Sequence, residues 1–426
     1  MYRPDLTRLE NCMRRAVRGG EITIGFLGGS ITQGSLASKE QNTYAYRVYQ
    51  WWKDTFPKAR FHYVNGGIGG TTSHYGVSRA VTDVLMYQPD FVIVDFSVND
   101  AVEEDGTGEN RPGEKDEAAV PFGEKVPETA FFQETYEGVV RKLLGWPSAP
   151  AVLLLNNVFY DTGLNAQGYH NAVGEWYHVP CVSIKDTIYG RMKVGAYTRE
   201  ELTPDGLHPN DKGHALVAAE ITAFLEQVKA RLEEIESAGG NPMQNEAGAA
   251  LADGMQAADA GAGPADGMQV ADVWRGLRTE TTLPAPMTAN AYENARRLTI
   301  REISPVLAGF RADTREKTGH LDHFKNGWIG KKAGDAILFE VEASCIAVQY
   351  RKTVARPAVN AELILDGNAE RKILLNGNFE ENWGDCLYLE PILHHGEKTR
   401  HTVEIVIPET ESEEDTEFYL MALLIA

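Results

Sequence analysis

Residues 22–30 read Ile22-Thr23-Ile24-Gly25-Phe26-Leu27-Gly28-Gly29-Ser30. An apolar run of this length that ends in glycines predicts a buried strand over Ile22 to Leu27, with Ser30 delivered just past its carboxyl end. Far downstream the chain spells Asp205-Gly206-Leu207-His208-Pro209. A hydroxyl, a carboxylate and an imidazole are thereby offered by two short segments. Whether they form a site depends on the fold that carries them.

Working outward from residue 22, further buried-type strands are expected at Phe61 to Asn65, Phe91 to Phe96, Val152 to Val158 and Pro180 to Ile184. Helical stretches alternate with them. Thr43 to Phe56 places Tyr44, Val48, Trp51 and Trp52 on one face, and Ser73 to Tyr87 stops before Pro89. Glu134 to Leu144, Ala166 to Tyr177 and the long Asn210 to Ile235 follow. This alternation predicts an α/β fold, a three-layer, flavodoxin-like arrangement around a parallel sheet. Ligands on such sheets bind beyond the carboxyl ends of the strands, where Ser30, Gly66 to Thr72 and Ser97 to Asp100 all fall.

Between Ser237 and Asp272 the composition shifts to Ala, Gly, Asp, Met and Gln, and Ala-Asp-Gly-Met-Gln occurs at both Ala252 to Gln256 and Ala265 to Gln269. Such a stretch has too little apolar bulk to offset its ordering entropy, so it reads as a linker or a long solvated loop. The pattern after it changes to period-two alternation. Strands are expected at Ala336 to Val341, Ile346 to Arg351, Ala361 to Leu365, Arg371 to Leu375, Thr402 to Ile407 and Phe418 to Ile425, with Asp366-Gly367 and Asn376-Gly377 as turns. An all-β, jelly-roll-like sandwich is the natural solution, with a short helix near Ala289 to Arg297. The expected organisation is therefore an α/β domain over 1–236, a linker over 237–272 and a β-sandwich domain over 273–426.

Composition sets the partners. Lys and Arg total 41 against 61 Asp and Glu in 426 residues, a formal charge of −20. That field repels phosphate backbones and anionic lipid surfaces, which argues against nucleic-acid and membrane partners. The four cysteines, Cys12, Cys181, Cys345 and Cys386, are widely spread. They read as reduced, packed thiols rather than a zinc or redox motif. The charged start of the chain does not resemble a secretory signal, and no run approaches the roughly 18 apolar residues of a membrane span. A cytoplasmic protein is expected.

Two more segments complete the motif set. Asn65-Gly66-Gly67-Ile68-Gly69-Gly70-Thr71-Thr72 lets backbone N–H groups approach a ligand closely, and Phe96-Ser97-Val98-Asn99-Asp100 puts an amide just past a buried strand. Each has a plain alternative, a glycine-rich turn in the first case and a helix cap in the second. All four segments together, in this order, resemble the blocks of the SGNH, or GDSL-type, hydrolase superfamily over roughly the first 235 residues. The resemblance implies that Ser30 is the nucleophile, His208 its base and Asp205 the carboxylate that orients it. It further implies that the Ser30 and Gly70 N–H groups and the Asn99 amide form the oxyanion hole. The chemistry is coherent, because a serine hydroxyl is a weak nucleophile until an imidazole takes its proton.

The family's first block is commonly Gly-Asp-Ser, whereas this chain has Gly29 in place of the Asp. The Gly-Gly-Ser-Ile-Thr form looks like a variant in branches related to carbohydrate esterases. The implied activity is removal of O-acyl groups, foremost O-acetyl, from oligosaccharides through an acyl-enzyme. Alternatives are a thioesterase or lysophospholipase-like acylhydrolase, a sugar acyltransferase, or a glycan-binding module without catalysis. Phe324, Trp328 and Trp383 lie near glycines in turn-like contexts. Trp328 and Trp383 are candidates for stacking on sugar rings, against the alternative that they fill the sandwich core. The segment Ala101 to Thr129 follows Asn99 directly and is expected either to wall the site or to be a solvated loop. His74, His214 and the pair His394-His395, read as a β-domain loop, show no Asp/Glu/His group at metal spacing, so neither a metal nor another cofactor is expected.

Overall fold

The computed structural model describes residues 3–102, 120–237, 283–319, 321–409 and 416–426. The repeated Ala-Asp-Gly-Met-Gln stretch and most of the insertion after Asn99 fall outside the described residues. In the first part of the chain the helices are α1 (Thr7–Val17), α2 (Ser30–Gln33), α3 (Tyr44–Thr55), α4 (Ser73–Asp83), α5 (Glu128–Leu144), α6 (Gln167–Trp176), α7 (Gly190–Lys193), α8 (Arg199–Leu202) and α9 (Asp211–Ser237). They surround β1 (Glu21–Gly28), β2 (Arg60–Gly67), β3 (Phe91–Asp95), β5 (Ala151–Asn156) and β6 (Cys181–Ser183), while β4 (Phe122–Gly123) departs to another sheet.

The five strands form a parallel sheet in the order β2-β1-β3-β5-β6. Alternation along each strand divides two cores. Ile22, Ile24, Phe26, Phe91 and Ile93 face α1, α3 and α9, and Leu27, Val92, Val94 and Leu154 face α4 and α5. Strand order reverses between β1 and β3. A crevice opens at such a switch point beyond the strand ends, and the segments after β1 and β3 carry Ser30 and Asn99.

The rest of the chain is β-structure whose described strands pair antiparallel with one another, and β4 joins them in parallel. Its strands are β7 (Arg296–Leu298), β8 (Val306–Ala308), β9 (Arg311–Ala312), β10 (Trp328–Gly330), β11 (Ala336–Ala343), β12 (Ile346–Lys352), β13 (Ala361–Leu365), β14 (Ile373–Leu375), β15 (Cys386–His394), β16 (Thr399–Val406) and β17 (Phe418–Ile425). One sheet runs β14-β13-β16-β11-β8, the other β4-β15-β12-β17-β10-β9 with β7 paired to β17. Ile337, Phe339, Leu363, Val403 and Ile405 of the first pack on Val348, Tyr350 and Leu420 of the second. This is the expected sandwich.

Two expectations need correction. No helix forms at Ala289 to Arg297; Arg296, Arg297 and Leu298 instead hydrogen-bond along β17 as a strand. Sheet pairing there overrides the local helix signal. The second correction concerns β15, which ends at His394, so the residue read as part of a loop belongs to a strand. Pro391 hid this strand, since proline normally argues against a sheet interior; the register against β12 shifts beside it, between Ile346 and Ala347.

Strand β17 is buried at every residue, because its sheet is covered on both faces. One face meets the sandwich partner. The other meets the α/β unit, where Ala347 and Leu424 join the core of α4 and α5, and Tyr419 and Met421 pack with Ile68 and Tyr75. Residues 287–295 strap this seam to α5. Glu137 accepts from the Met287 and Thr288 N–H groups, Glu134 accepts from Ala291 N at 2.8 Å, and the buried Lys142 ammonium donates to the carbonyls of Val77 and Ala295 at 2.6 Å each. Burial brings the Lys142 pKa down to about 7.

Candidate active site

Ser30 opens α2 immediately after β1 and is 7 % exposed. Its Oγ lies 2.8 Å from His208 Nε2, and His208 Nδ1 lies 2.7 Å from Asp205 Oδ2. Asp205 Oδ1 also accepts from the N–H groups of Leu207 and His208, at 3.0 and 2.8 Å, and from Thr203 Oγ1 at 3.0 Å. The loop is thus folded round its own carboxylate. Burial pushes the Asp205 pKa up, but the hydrogen bonds from His208 and the two N–H groups outweigh it and hold the carboxyl at about 2. An ionised Asp205 takes the Nδ1–H of His208, which leaves Nε2 as the acceptor for the Ser30 hydroxyl proton. Asn210 then caps α9, its Oδ1 accepting from Lys212 N and Gly213 N at 3.0 Å each.

The glycine-rich segment lies against the serine. An ideal Cβ built on Gly69 would stand 3.6 Å from Ser30 Cβ, and Gly69 N donates to Gln33 Oε1 at 2.6 Å. Gly70 has φ +67°, a left-handed conformation that glycine adopts freely. The Asn99 amide lies beside Gly29, and a Cβ at residue 29 would come within 2.2 Å of Asn99 Oδ1. That contact gives a physical reason for Gly-Gly-Ser here: an Asp at 29 would displace the amide. The described residues offer Asn99 Oδ1 no hydrogen-bond partner, so the internal network does not consume it.

Several supporting residues carry no motif and were missed in the sequence. Arg79 is fully buried and ties the two glycine segments together, donating to the carbonyls of Gly66 and of Gly28, the latter at 2.8 Å, while pairing with Asp83 at 2.8 Å. Asp100 accepts from Ser73 N at 2.8 Å and bonds His170 Nε2 at 3.0 Å, which anchors the Asn99 turn to α4 and α6. Burial lowers the pKa of His170, whose ring stacks on Tyr136 with centroids 3.5 Å apart. Beneath the serine, burial pushes the Asp95 pKa up to about 7 despite bonds from Asn157 and Thr32. The only local signal for Arg79 was a charge interrupting the apolar face of α4.

The two tryptophans separate. Trp328 is 1 % exposed in the sandwich core, edge-on to Phe339, so its candidacy for stacking on sugar is withdrawn. Trp383 is 57 % exposed, rests edge-on against Phe379, and brings its Cη2 to 3.8 Å from the Cβ position of Gly70. The sandwich therefore reaches the edge of the serine site. Among the described residues of the Ala101 to Thr129 insertion, Phe122 and Gly123 pair with β15 rather than contacting Ser30. Glu134, His394 and His395 gather three metal-capable side chains within 4.8 Å at the seam, an assembly that their spacing in sequence conceals.

A parallel sheet with a serine, histidine and aspartate joined in one hydrogen-bond relay at its switch point defines the class: a GDSL-type serine hydrolase, joined to a β-sandwich. The chain belongs to the GDSL-like lipase/acylhydrolase family, whose model matches residues 26–216. It is similar to a two-domain esterase (CEX) active on acetylated mannans. The crystal structure of that esterase with mannopentaose is 42 % identical, with 99 % of this chain and 95 % of that one covered and a TM-score of 0.79. A second crystal structure of the esterase gives 42 %, 99 %, 96 % and 0.78. No protein of curated function matched.

Proposed function

We propose that the protein is a serine esterase that removes O-acetyl groups from mannan-type oligosaccharides. The reading rests above all on the Ser30–His208–Asp205 relay, with links of 2.8 and 2.7 Å, in a chain 42 % identical along its length to an esterase active on acetylated mannans. Ser30 Oγ attacks the ester carbonyl as His208 Nε2 takes its proton; the sugar alcohol leaves with that proton, and water activated by His208 clears the acetyl-enzyme. The N–H groups of Ser30 and Gly70 and the Asn99 amide face the oxygen that turns negative, each such donor contributing about 2.7–4 kcal/mol in the transition state. Asp205 holds the imidazole tautomer throughout.

The same reading makes the unit over 1–236 catalytic and the sandwich over 273–426 an accessory that adds Trp383 to the sugar-binding edge, with 237–272 as connector. Four free thiols, three of them buried, support a cytoplasmic setting. No described helix is long and apolar enough to cross a membrane. The test is acetate release from acetylated mannan, acetylated xylan and a series of aryl esters of rising acyl length. Highest kcat/KM on the mannan is expected. A rate that climbs with acyl length would replace this reading with a lipid acylhydrolase.

A further inference from the structure

We propose that Glu134, His394 and His395 form a transition-metal site, best matched by Zn(II), that clamps the sandwich to the α/β unit. Consecutive side chains on a strand point to opposite faces. His395, the first residue past β15, leaves that alternation with φ +49°, a left-handed conformation uncommon for a residue with a side chain, and its ring meets that of His394 with centroids 4.1 Å apart. Strain of this kind persists where the surroundings impose it and concentrates at binding sites. Here it turns two adjacent imidazoles toward one carboxylate on α5.

The donor atoms suit the ion. Glu134 Oε2 lies 2.8 Å from His395 Nε2 and 3.9 Å from His394 Nε2. These bracket the roughly 3.3 Å edge of a tetrahedron with metal–ligand bonds of about 2.0–2.1 Å. His394 is wholly buried, and its Nε2 has no hydrogen-bond partner among the described residues, a costly state for a polar atom that a metal would relieve. Outer contacts are in place as well. With His394 Nδ1–H donating to Tyr292 Oη, 2.9 Å away, Nε2 carries the free lone pair, and Ala291 N donates to Glu134 Oε1 at 2.8 Å. Phe131 and Tyr292 wall the imidazole. Two imidazoles and one carboxylate, with water as a fourth ligand, form a donor set suited to Zn(II).

None of these residues contacts Ser30, so the site is separable from the hydrolytic reading. The full-length protein, stripped with a chelator and dialysed, is titrated with Co(II) and with Zn(II). We expect one ion per chain, a visible d–d absorption of tetrahedral Co(II) that Zn(II) abolishes, and a rise in Tm with Zn(II). His395→Asn keeps a residue tolerant of left-handed backbone, and Glu134→Gln keeps the shape of the side chain. Each should weaken Co(II) binding at least tenfold. Absence of the d–d band in the wild-type protein overturns the proposal whatever the variants do, and so does an unchanged Co(II) affinity in both variants.

Discussion

The serine site and the seam between the two halves are built in opposite ways. At the serine site the decisive residues sit on short segments at strand ends and on one loop, each segment supplying its own backbone geometry. Asp205 and His208 are even partly exposed, at 44 % and 23 % of their side chains. At the seam, Glu134, Lys142, His394 and the strap over 287–295 are drawn from distant parts of the chain and meet only after folding. Chemistry is encoded locally here, and the union of the halves is encoded by long-range burial. The difference predicts that the serine site tolerates small edits with the fold intact, whereas the seam does not.

The largest effect should come from cutting the seam. Truncation after Ser237 exposes Ile68, Tyr75 and the outer faces of α4 and α5, and removes the Met287 and Thr288 N–H groups from Glu137 and the Ala295 carbonyl from Lys142. Each large apolar side chain returned to water costs about 1.5–3 kcal/mol, so a few of them are a large share of a domain's stability of roughly 5–15 kcal/mol. We expect no cooperative melt in calorimetry for this fragment. A sharp transition near that of the full chain would mean that the halves are independent.

Edits at the serine site should lower rate rather than stability. Asn99→Ala is expected to reduce kcat about 10²- to 10³-fold, measured on an aryl acetate. Gly29→Ala pushes a methyl against the Asn99 amide and should cost a smaller part of the same factor, with KM nearly unchanged. If Gly29→Ala is silent, Asn99 does not serve the transition state. Trp383→Ala should raise KM for acetylated oligosaccharides roughly 3- to 10-fold while leaving an aryl acetate unaffected, as the loss of one stacked ring allows.

A separate effect concerns pH. His214 accepts a hydrogen bond from Tyr44 N on Nδ1, and burial holds its pKa at about 4 against about 6.5 in an unfolded chain. Its folded pKa is depressed, so the unfolded chain takes up the proton first as pH falls. Stability is therefore lost progressively from about pH 6.5 down to about 4 and no further below it through this group. His214→Gln should flatten the dependence of Tm on pH over that window. An unchanged slope would assign the loss to another group.

What could be read from the sequence follows the same division. Strands β1, β3 and β5 were legible because each is buried on both faces and reads as a continuous apolar run, and the segments that carry Ser30, Gly70, Asn99, Asp205 and His208 stood out as candidates because each is short and has a characteristic neighbour, with Ser30, His208 and Asp205 joined by hydrogen bonds in the fold. Trp328 and Trp383 were not distinguishable, since both stand beside glycines and only the sandwich decides that one faces its core. Pro391 concealed β15, and with it the strand that brings His394 to Glu134. Arg79 and His170 act through contacts across the sheet, which no local pattern carries.

In the proposed mechanism Ser30 is a nucleophile activated by His208. Incubation with a fluorophosphonate, followed by intact-mass and peptide mass spectrometry, addresses it directly. The wild-type protein should gain one adduct, on Ser30, and His208→Ala and Ser30→Ala should gain none at the same exposure, with Tm unchanged in both. An adduct on another residue, or equal labelling in His208→Ala, would contradict it.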